Sequence, residues 1–346
     1  MNMSVADMHC DTISALLQRK RDRARSGKPQ DGCEEGQESG LRRSGLHVDL
    51  EKLRKGGYLL QNFALFVPLS ECGDPFQEFT ALADLYYEEL EKNRDLIGPV
   101  FSWEDLEKNR QEGKLSALLT VEEGAVCQGS IQKLHRIFRL GVRMLTLTWN
   151  FPNELGWPNV KMPKEGSTDA PDFTVPDLEH GLTETGFQFL EEMEHMGMIV
   201  DVSHLSDAGF WDVARKAKKP FVASHSNARA VCSHVRNLDD AMIRALAEKG
   251  GVMGLNFCPS FLEEGRETGG SLAAIAAHAR HIVDTGGEDC LGLGSDFDGI
   301  PTNEALPDAS CLPLLADALE KSGFSQRQID KICEKNVLRV YREVLK

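Results

Sequence analysis

The stretch "ADMHCDTISALL" at residues 6–17 places three polar side chains at every second position: Asp7, His9 and Asp11. Residues two apart on a β-strand point to the same face, so one short strand would aim an imidazole and two carboxylates at one place. Imidazole and carboxylate groups are ligands that zinc and related divalent metals prefer. The pattern therefore predicts the beginning of a metal site.

Four more apolar segments carry an ionisable residue at or near their carboxyl end. They are 115–122 with Glu122, 197–204 with His204, 220–226 with His225, and 290–297 with Asp296. Ionisable groups gathered in one place without a counter-charge would be strongly unfavourable, and one or two dications would remove that cost. A carboxylate has two oxygens, so we expect Glu122 to bridge two ions. The adjacent Glu123 is expected to face outward, because neighbouring residues on a strand point to opposite faces. His9 and Asp11 would complete one half of the site, and His204 and His225 the other.

Eight apolar runs divide the chain, with amphipathic stretches between most of them. The predicted strands are 4–9, 58–67, 115–122, 144–149, 197–204, 220–226, 251–257 and 290–297. Near-continuous apolar runs are typical of strands buried on both faces, and their alternation with helices indicates a parallel sheet. Eight repeats predict an α/β fold, a (β/α)₈ TIM-type barrel that forms a single domain over residues 1–346. An open doubly wound sheet is the alternative, although no G-x-G-x-x-G occurs at the first strand-to-helix turn.

A barrel would bring the polar strand ends together, because the carboxyl ends of its strands surround one mouth. Two polar stretches, 19–45 and 150–182, interrupt the alternation of strands and helices. We predict that both are long loops, after the first and the fourth strand. Both would lie at the catalytic rim, where they could shape or cover a pocket.

The composition of the chain indicates which classes of partner the protein does not bind. The net charge of −15 argues against nucleic-acid binding, which needs a basic surface. No apolar run approaches the roughly 18 residues of a membrane span, and the amino terminus lacks a signal-peptide pattern. Nine scattered cysteines without a regular framework indicate free thiols in a reducing compartment. We therefore predict a cytoplasmic protein that binds neither nucleic acid nor membrane.

Taken in order, the motifs resemble those of the membrane (renal) dipeptidase family, within the amidohydrolase-like metal-dependent barrels. They are "DMHCDT" at 7–12, "VEEGA" at 121–125, "GVRMLTLTWN" at 141–150, "GMIVDVSHLS" at 197–206, "PFVASHSNARAVCSHVRNLDD" at 220–240 and "GLGSDFDGIP" at 292–301. The resemblance implies a metallopeptidase that hydrolyses dipeptides with two zinc ions per chain. It implies a homodimer, and a ligand set made of His9, Asp11, Glu122, His204 and His225, with Glu122 as the bridge.

The same resemblance implies two residues outside the metal ligands. Asp296 aligns with the family's proton-shuttling aspartate, and Arg236 with the arginine that holds the substrate. Asp298 and Arg229 are the rival candidates if the alignment slips, although Asp298 is expected to stabilise the turn that it begins. A guanidinium fork suits the carboxylate at the end of a dipeptide.

One position departs from the family pattern. Characterised mammalian members carry a substrate-contacting histidine where this chain has Trp149. An indole N–H can donate a hydrogen bond but cannot bind a proton. We therefore expect this member either to stabilise the oxyanion with metal instead or to prefer other substrate side chains. Trp149 and Asn150 are the expected substrate contacts, and Asn150 and Asn153 could supply hydrogen-bond donors.

Two alternative functions remain open. The first is a related hydrolase, such as a deaminase, a lactonase or a dihydropyrimidinase-like enzyme, because barrels share metal sites. Such relatives often bridge their metals with a modified lysine, and no predicted strand here ends in lysine at the matching place. The second is a metal-binding barrel that has lost catalysis.

Overall fold

Nine parallel strands form one sheet in the computed structural model, which describes residues 4–26, 40–163 and 170–346. The strands are β1 (Val5–Asp7), β2 (Tyr58–Phe66), β3 (Ile97–Pro99), β4 (Leu115–Glu122), β5 (Val142–Thr146), β6 (Ile199–Asp201), β7 (Val222–Ala223), β8 (Val252–Leu255) and β9 (Leu291–Leu293). Their order is β2-β1-β9-β8-β7-β6-β5-β4-β3, and β2 also pairs with β4. That pairing closes eight strands into a barrel and confirms the predicted (β/α)₈ fold.

Helices connect the strands and cover the barrel. They are α1 (Thr12–Ser26), α2 (Leu50–Lys55), α3 (Pro75–Lys92), α4 (Trp103–Gln111), α5 (Ile131–Arg139), α6 (Glu184–Met196), α7 (Asp207–Lys216), α8 (Asp240–Glu248), α9 (Pro259–Leu262), α10 (Leu272–Gly286), α11 (Leu312–Lys321), α12 (Gln326–Asp330) and α13 (Asn336–Val344). Many begin at a side-chain cap that satisfies free backbone N–H groups, such as Asp74 before α3 and Ser102 before α4. Among the described residues, no helix is long and apolar enough to cross a bilayer.

The barrel core is closed at the end away from the strands' carboxyl ends. Apolar residues early in several strands form one buried cluster with α13: Ala6, Leu60, Leu118, Met144, Ile199, Val222 and Val252 against Val337, Val340 and Tyr341. Tyr341 is fully buried, and its hydroxyl accepts a hydrogen bond of 2.6 Å from Asn62 Nδ2. The opposite end, where the polar residues follow the strands, is left as the mouth.

Two predictions about the elements were wrong. The strand β3 was missed, because three residues that pair only with the beginning of β4 give no recognisable pattern. The predicted loop 19–45 begins instead as helix, since α1 continues to Ser26. Lysine and arginine are good helix formers, and Arg23 and Arg25 suit the last turn, where the helix dipole favours cations. Residues 27–39 of that prediction lie outside the described part.

The second predicted loop is present after β5. Within 150–163 and 170–182 the chain forms no helix or strand, and isolated bridges hold it, including Lys161 to Asp172 and Pro158 to Leu205. This segment contributes residues to a cavity at the barrel mouth. Residues 164–169 lie outside the described part.

Candidate active site

Five buried side chains predicted as ligands meet at the barrel mouth. Glu122, the last residue of β4, lies between two groups of them. Its Oε1 is 3.0 Å from His204 Nε2 and 3.3 Å from His225 Nε2. Its Oε2 is 3.4 Å from His9 Nε2, which is 3.3 Å from Asp11 Oδ2. The two carboxylate oxygens of Glu122 therefore face different partners, as a bridging ligand would.

Hydrogen bonds fix the proton on the outer nitrogen of two histidines. The Ser224 hydroxyl donates to Asp201 (2.6 Å), so it accepts from His225 Nδ1 (2.7 Å). His204 Nδ1 lies 2.9 Å from Asn150 Oδ1, which can only accept. Both Nδ1 atoms therefore carry hydrogen, and both Nε2 atoms present lone pairs. Such outer partners are typical of metal-binding histidines.

The lone pairs converge on one point. His204 Nε2 and His225 Nε2 are 3.0 Å apart, and both face Glu122 Oε1. Two nitrogen ligands at the usual distance from tetrahedral zinc would be about 3.3 Å apart, close to these spacings. His9 Nε2 has no hydrogen-bond partner among the described residues. Three acceptor atoms, on His204, His225 and Glu122, thus face one another with no hydrogen between them. Together with the His9 nitrogen that lacks a hydrogen-bond partner, they form a set of donors that suits a divalent cation.

The charges of the site lead to the same conclusion. Burial lowers the pKa of His204 to about 4 and that of His225 well below its usual range, so both rings are neutral. Although burial opposes it, the carboxylates of Glu122 and Asp11 hold the pKa of His9 well above its usual range. Burial raises the pKa of Asp11 to about 6. Without a metal ion, a protonated His9 would carry the positive charge beside these carboxylates, a role that a bound divalent cation would take over.

Backbone strain helps to aim these side chains. His204 has φ 70° and Asp296 has φ 62°, in the left-handed region that residues other than glycine seldom adopt. Such conformations cost about 1–3 kcal/mol each and concentrate at functional sites. The chain thus turns sharply after two of the strands, at His204 and Asp296, and both side chains point into the mouth.

Asp296 lies next to the ligands. Its Oδ1 is 3.8 Å from His9 Nε2, and its Oδ2 accepts a hydrogen bond of 2.9 Å from Asn256 Nδ2. Burial raises the pKa of Asp296 to about 8, and a cation held by the neighbouring residues would lower it again and favour the ionised form. Asn256 is fully buried, and its Oδ1 accepts from the Cys258 amide. One oxygen of Asp296 is therefore held by Asn256, while the other faces the ligands.

Asn256 was not predicted from the sequence, although a polar residue near the end of an apolar strand was a usable signal. We expect Asn256→Ala to lower kcat about tenfold or more with KM changed less than about threefold, because a hydrogen bond to a charged group contributes about 1.5–3 kcal/mol. Steady-state kinetics and thermal unfolding measure both effects. Asn303→Ala is the control, since Asn303 is equally buried but bonds the Phe257 carbonyl. If the folded Asn256→Ala variant kept the wild-type kcat, Asn256 would not be a residue that positions Asp296.

A cavity of about 800 Å³ opens beside these residues, and Arg236 lines it. Arg236 is 4% exposed. Among the described residues its guanidinium donates a single hydrogen bond, from Nη2 to the His225 carbonyl at 3.3 Å. Its Nε has no partner, and no ion pair forms to it within the described ranges. The rival Arg229 instead forms two hydrogen bonds to Asp207, of 2.6 and 2.7 Å. Arg236 is therefore the arginine left available to an anion.

Trp149 and Asn150 also line the cavity. The Trp149 ring meets Phe66 edge to face at 4.9 Å and lies 6.1 Å from the His204 ring. The Asn150 oxygen orients His204, as described above. Asn153 is not among the lining residues, because its amide bonds Glu123 and the Leu147 carbonyl within the loop.

Two acidic neighbours have structural contacts. Glu123, expected to face outward, is instead fully buried, and its carboxylate accepts from Ala125 N and Trp149 N. Burial raises the pKa of Glu123 to about 7. Asp298, expected to be structural, accepts from the Thr12 hydroxyl and the His47 amide. Both therefore stabilise loops around the mouth.

Comparisons with known proteins give matches that span most or all of this chain. The model of the membrane dipeptidase family, peptidase family M19, matches residues 1–346. An uncharacterized dipeptidase of Schizosaccharomyces pombe is 31% identical over 313 residues, 86% of this chain and 72% of that protein. The solved structure of a dipeptidase AC, described as an M19 metallopeptidase, is 28% identical with a TM-score of 0.84, covering 100% of this chain and 99% of that one. A metallopeptidase of Rhodobacter sphaeroides, solved with a phosphinate mimic of the dipeptide L-Ala-D-Ala, is 27% identical with a TM-score of 0.83, covering 99% of each chain. The chain therefore belongs to the membrane dipeptidase family of metallopeptidases.

Proposed function

We propose that this protein is a dipeptidase that hydrolyses the amide bond of dipeptides with the help of two divalent ions. Each half of the site would hold one zinc ion. The observation that carries this proposal is the position of Glu122, with Oε1 toward His204 and His225 and Oε2 toward His9. Ions held there would acidify a water molecule and polarise the scissile carbonyl. The phosphinate dipeptide mimic bound by the Rhodobacter sphaeroides relative supports dipeptides as the substrate class.

Asp296 moves the proton in this proposal. It receives a proton from the attacking water at Oδ1 and delivers it to the leaving amine, so it acts first as general base and then as general acid. Asn256 holds Oδ2 and keeps Oδ1 turned to the site. Glu122 acts as the shared ligand.

Arg236 holds the other end of the substrate. Its guanidinium lines the cavity without a carboxylate partner among the described residues, and the free carboxylate of a dipeptide would supply one. Trp149 and Asn150 complete the wall beside His204. Holding the substrate at both ends would orient its amide bond for attack.

The two alternatives are less well supported. A lysine-bridged hydrolase would need a lysine at the centre, and none lines the cavity among the described residues. A barrel without catalysis would have no use for Asp296 or for an unpaired buried Arg236. The homodimer and the cytoplasmic location stay predictions, which light scattering and cell fractionation would test.

Turnover of a panel of dipeptides, with and without added zinc, tests the proposed function, and Arg236→Lys makes the test specific. Lysine keeps the charge but loses the planar fork. We expect KM for free dipeptides to rise about tenfold or more, since a bidentate charged pair is lost, with a much smaller effect on carboxyl-amidated dipeptides. Arg229→Lys is the control, because Arg229 bonds Asp207. Equal losses on both substrate types would show that Arg236 does not hold the carboxylate.

A further inference from the structure

Three rings form one wall of the cavity: Phe173, His234 and Phe261, here called the aromatic wall. The rings of Phe173 and His234 stack, with centroids 5.1 Å apart and an angle of 21° between the planes. His234 and Phe261 lie 4.5 Å apart. Phe173 is 38% exposed, an unusual position for a phenylalanine. Its ring is therefore ordered by stacking and still faces the open cavity.

Three separate segments build this wall, and Phe261 belongs to α9. Phe173 belongs to the long loop after β5, and its carbonyl accepts a hydrogen bond of 2.9 Å from the Val235 amide. His234 precedes Arg236 by two residues, and its Nδ1 accepts from the Arg236 amide at 3.2 Å. The Arg236 guanidinium carbon lies 5.5 Å from the Phe261 ring centre. The wall and the arginine are thus parts of one surface.

The aromatic wall itself carries no charge. Burial, with the nearby Arg236 and Arg229, lowers the pKa of His234 to about 4, so its ring is neutral at pH 7. Glu264 lines the cavity as well, and its carboxylate accepts from the Ser233 amide. An uncharged aromatic surface next to a carboxylate favours apolar groups and disfavours acidic ones.

We infer that the aromatic wall receives the side chain of the carboxyl-terminal residue of the dipeptide and selects large apolar or aromatic side chains. The inference rests on the proposed function, in which Arg236 binds the substrate carboxylate. In such a pair the Cα next to the carboxylate lies about 5–6 Å from the guanidinium carbon. Its side chain is then within reach of Phe261 and of the rings stacked beyond it.

The test measures kcat/KM for dipeptides with alanine first and phenylalanine, leucine, alanine or aspartate second, each in the L and D form. We expect phenylalanine and leucine to exceed alanine about tenfold or more, and aspartate to be the poorest, because apolar side-chain contacts discriminate about 10- to 200-fold. Phe173→Ala and Phe261→Ala should each reduce the preference for phenylalanine about three- to tenfold. Both should lower kcat/KM less for the alanine substrates than for the phenylalanine substrates, because an alanine side chain has less contact with the wall.

Leu178→Ala is the matched control. Leu178 lies on the same loop, is 70% exposed and does not line the cavity, so its removal should leave the preference unchanged. A wild-type enzyme that cleaves all eight substrates equally well, or variants that lose activity on all eight equally, would overturn the inference while leaving the dipeptidase in place. Failure to cleave any dipeptide with any divalent metal would instead overturn the proposed function.

Discussion

Replacing Glu122 with glutamine is expected to abolish hydrolysis, by about a thousandfold or more, in a protein that still folds. The replacement removes the negative charge that lies between the two groups of predicted ligands and puts an amide NH₂ in place of one oxygen. Breaking a buried charge interaction from one side costs about 3–5 kcal/mol, which corresponds to roughly 10²- to 10⁴-fold. Because Glu122 faces both groups of side chains, this substitution disturbs both halves of the site.

Metal content, measured by elemental analysis, tests the role of Glu122 independently of turnover. We expect about two divalent ions per chain in the wild type and one or fewer in Glu122→Gln, because a bridge serves both ions. The rise in unfolding temperature on adding zinc should shrink accordingly. Glu123→Gln is the control, since the adjacent carboxylate is fully buried but bonds the loop rather than the ligands. Two ions and normal turnover in Glu122→Gln would show that the site has been misplaced.

The strand ends explain why much of this site was predictable. In a parallel barrel, a residue at the carboxyl end of any strand faces the same mouth, whatever its distance along the chain. The pattern of apolar runs therefore placed Glu122, His204 and His225 together, and the structure has them within 3.0–3.3 Å of one another. Alternation along one short segment likewise placed His9 beside Asp11.

Other features depend on contacts that no local pattern records. A polar residue near this strand end is visible in the sequence, but the role of Asn256 depends on Asp296, which lies 2.9 Å away and comes 40 residues later in the chain. Glu123 was expected to face outward because neighbours in a strand alternate, but the strand ends at Glu122 and the backbone turns to φ 127° at Glu123. The aromatic wall joins a loop to two distant segments, which only the tertiary structure brings together.

Asp296→Asn is expected to lower kcat about a hundredfold or more while KM changes little, as for a group that acts in proton transfer. Asparagine keeps the size of the side chain and tolerates the left-handed backbone, φ 62°, that this position requires. It can still occupy the place beside Asn256, but it cannot accept and return a proton. The two steady-state constants, compared with the wild type at the same metal content, measure the effect.

Asp298→Asn tests whether that loss is specific. Asp298 has nearly the same backbone conformation, φ 69°, and its carboxylate bonds Thr12 and the His47 and Val48 amides instead of the ligands. This variant should lower the unfolding temperature and leave kcat within about threefold. Metal content separates the two possible roles of Asp296, whose Oδ1 lies 3.8 Å from His9 Nε2. If Asp296→Asn keeps both ions and loses kcat, the proton-transfer role holds; if an ion is lost with the activity, Asp296 is a ligand.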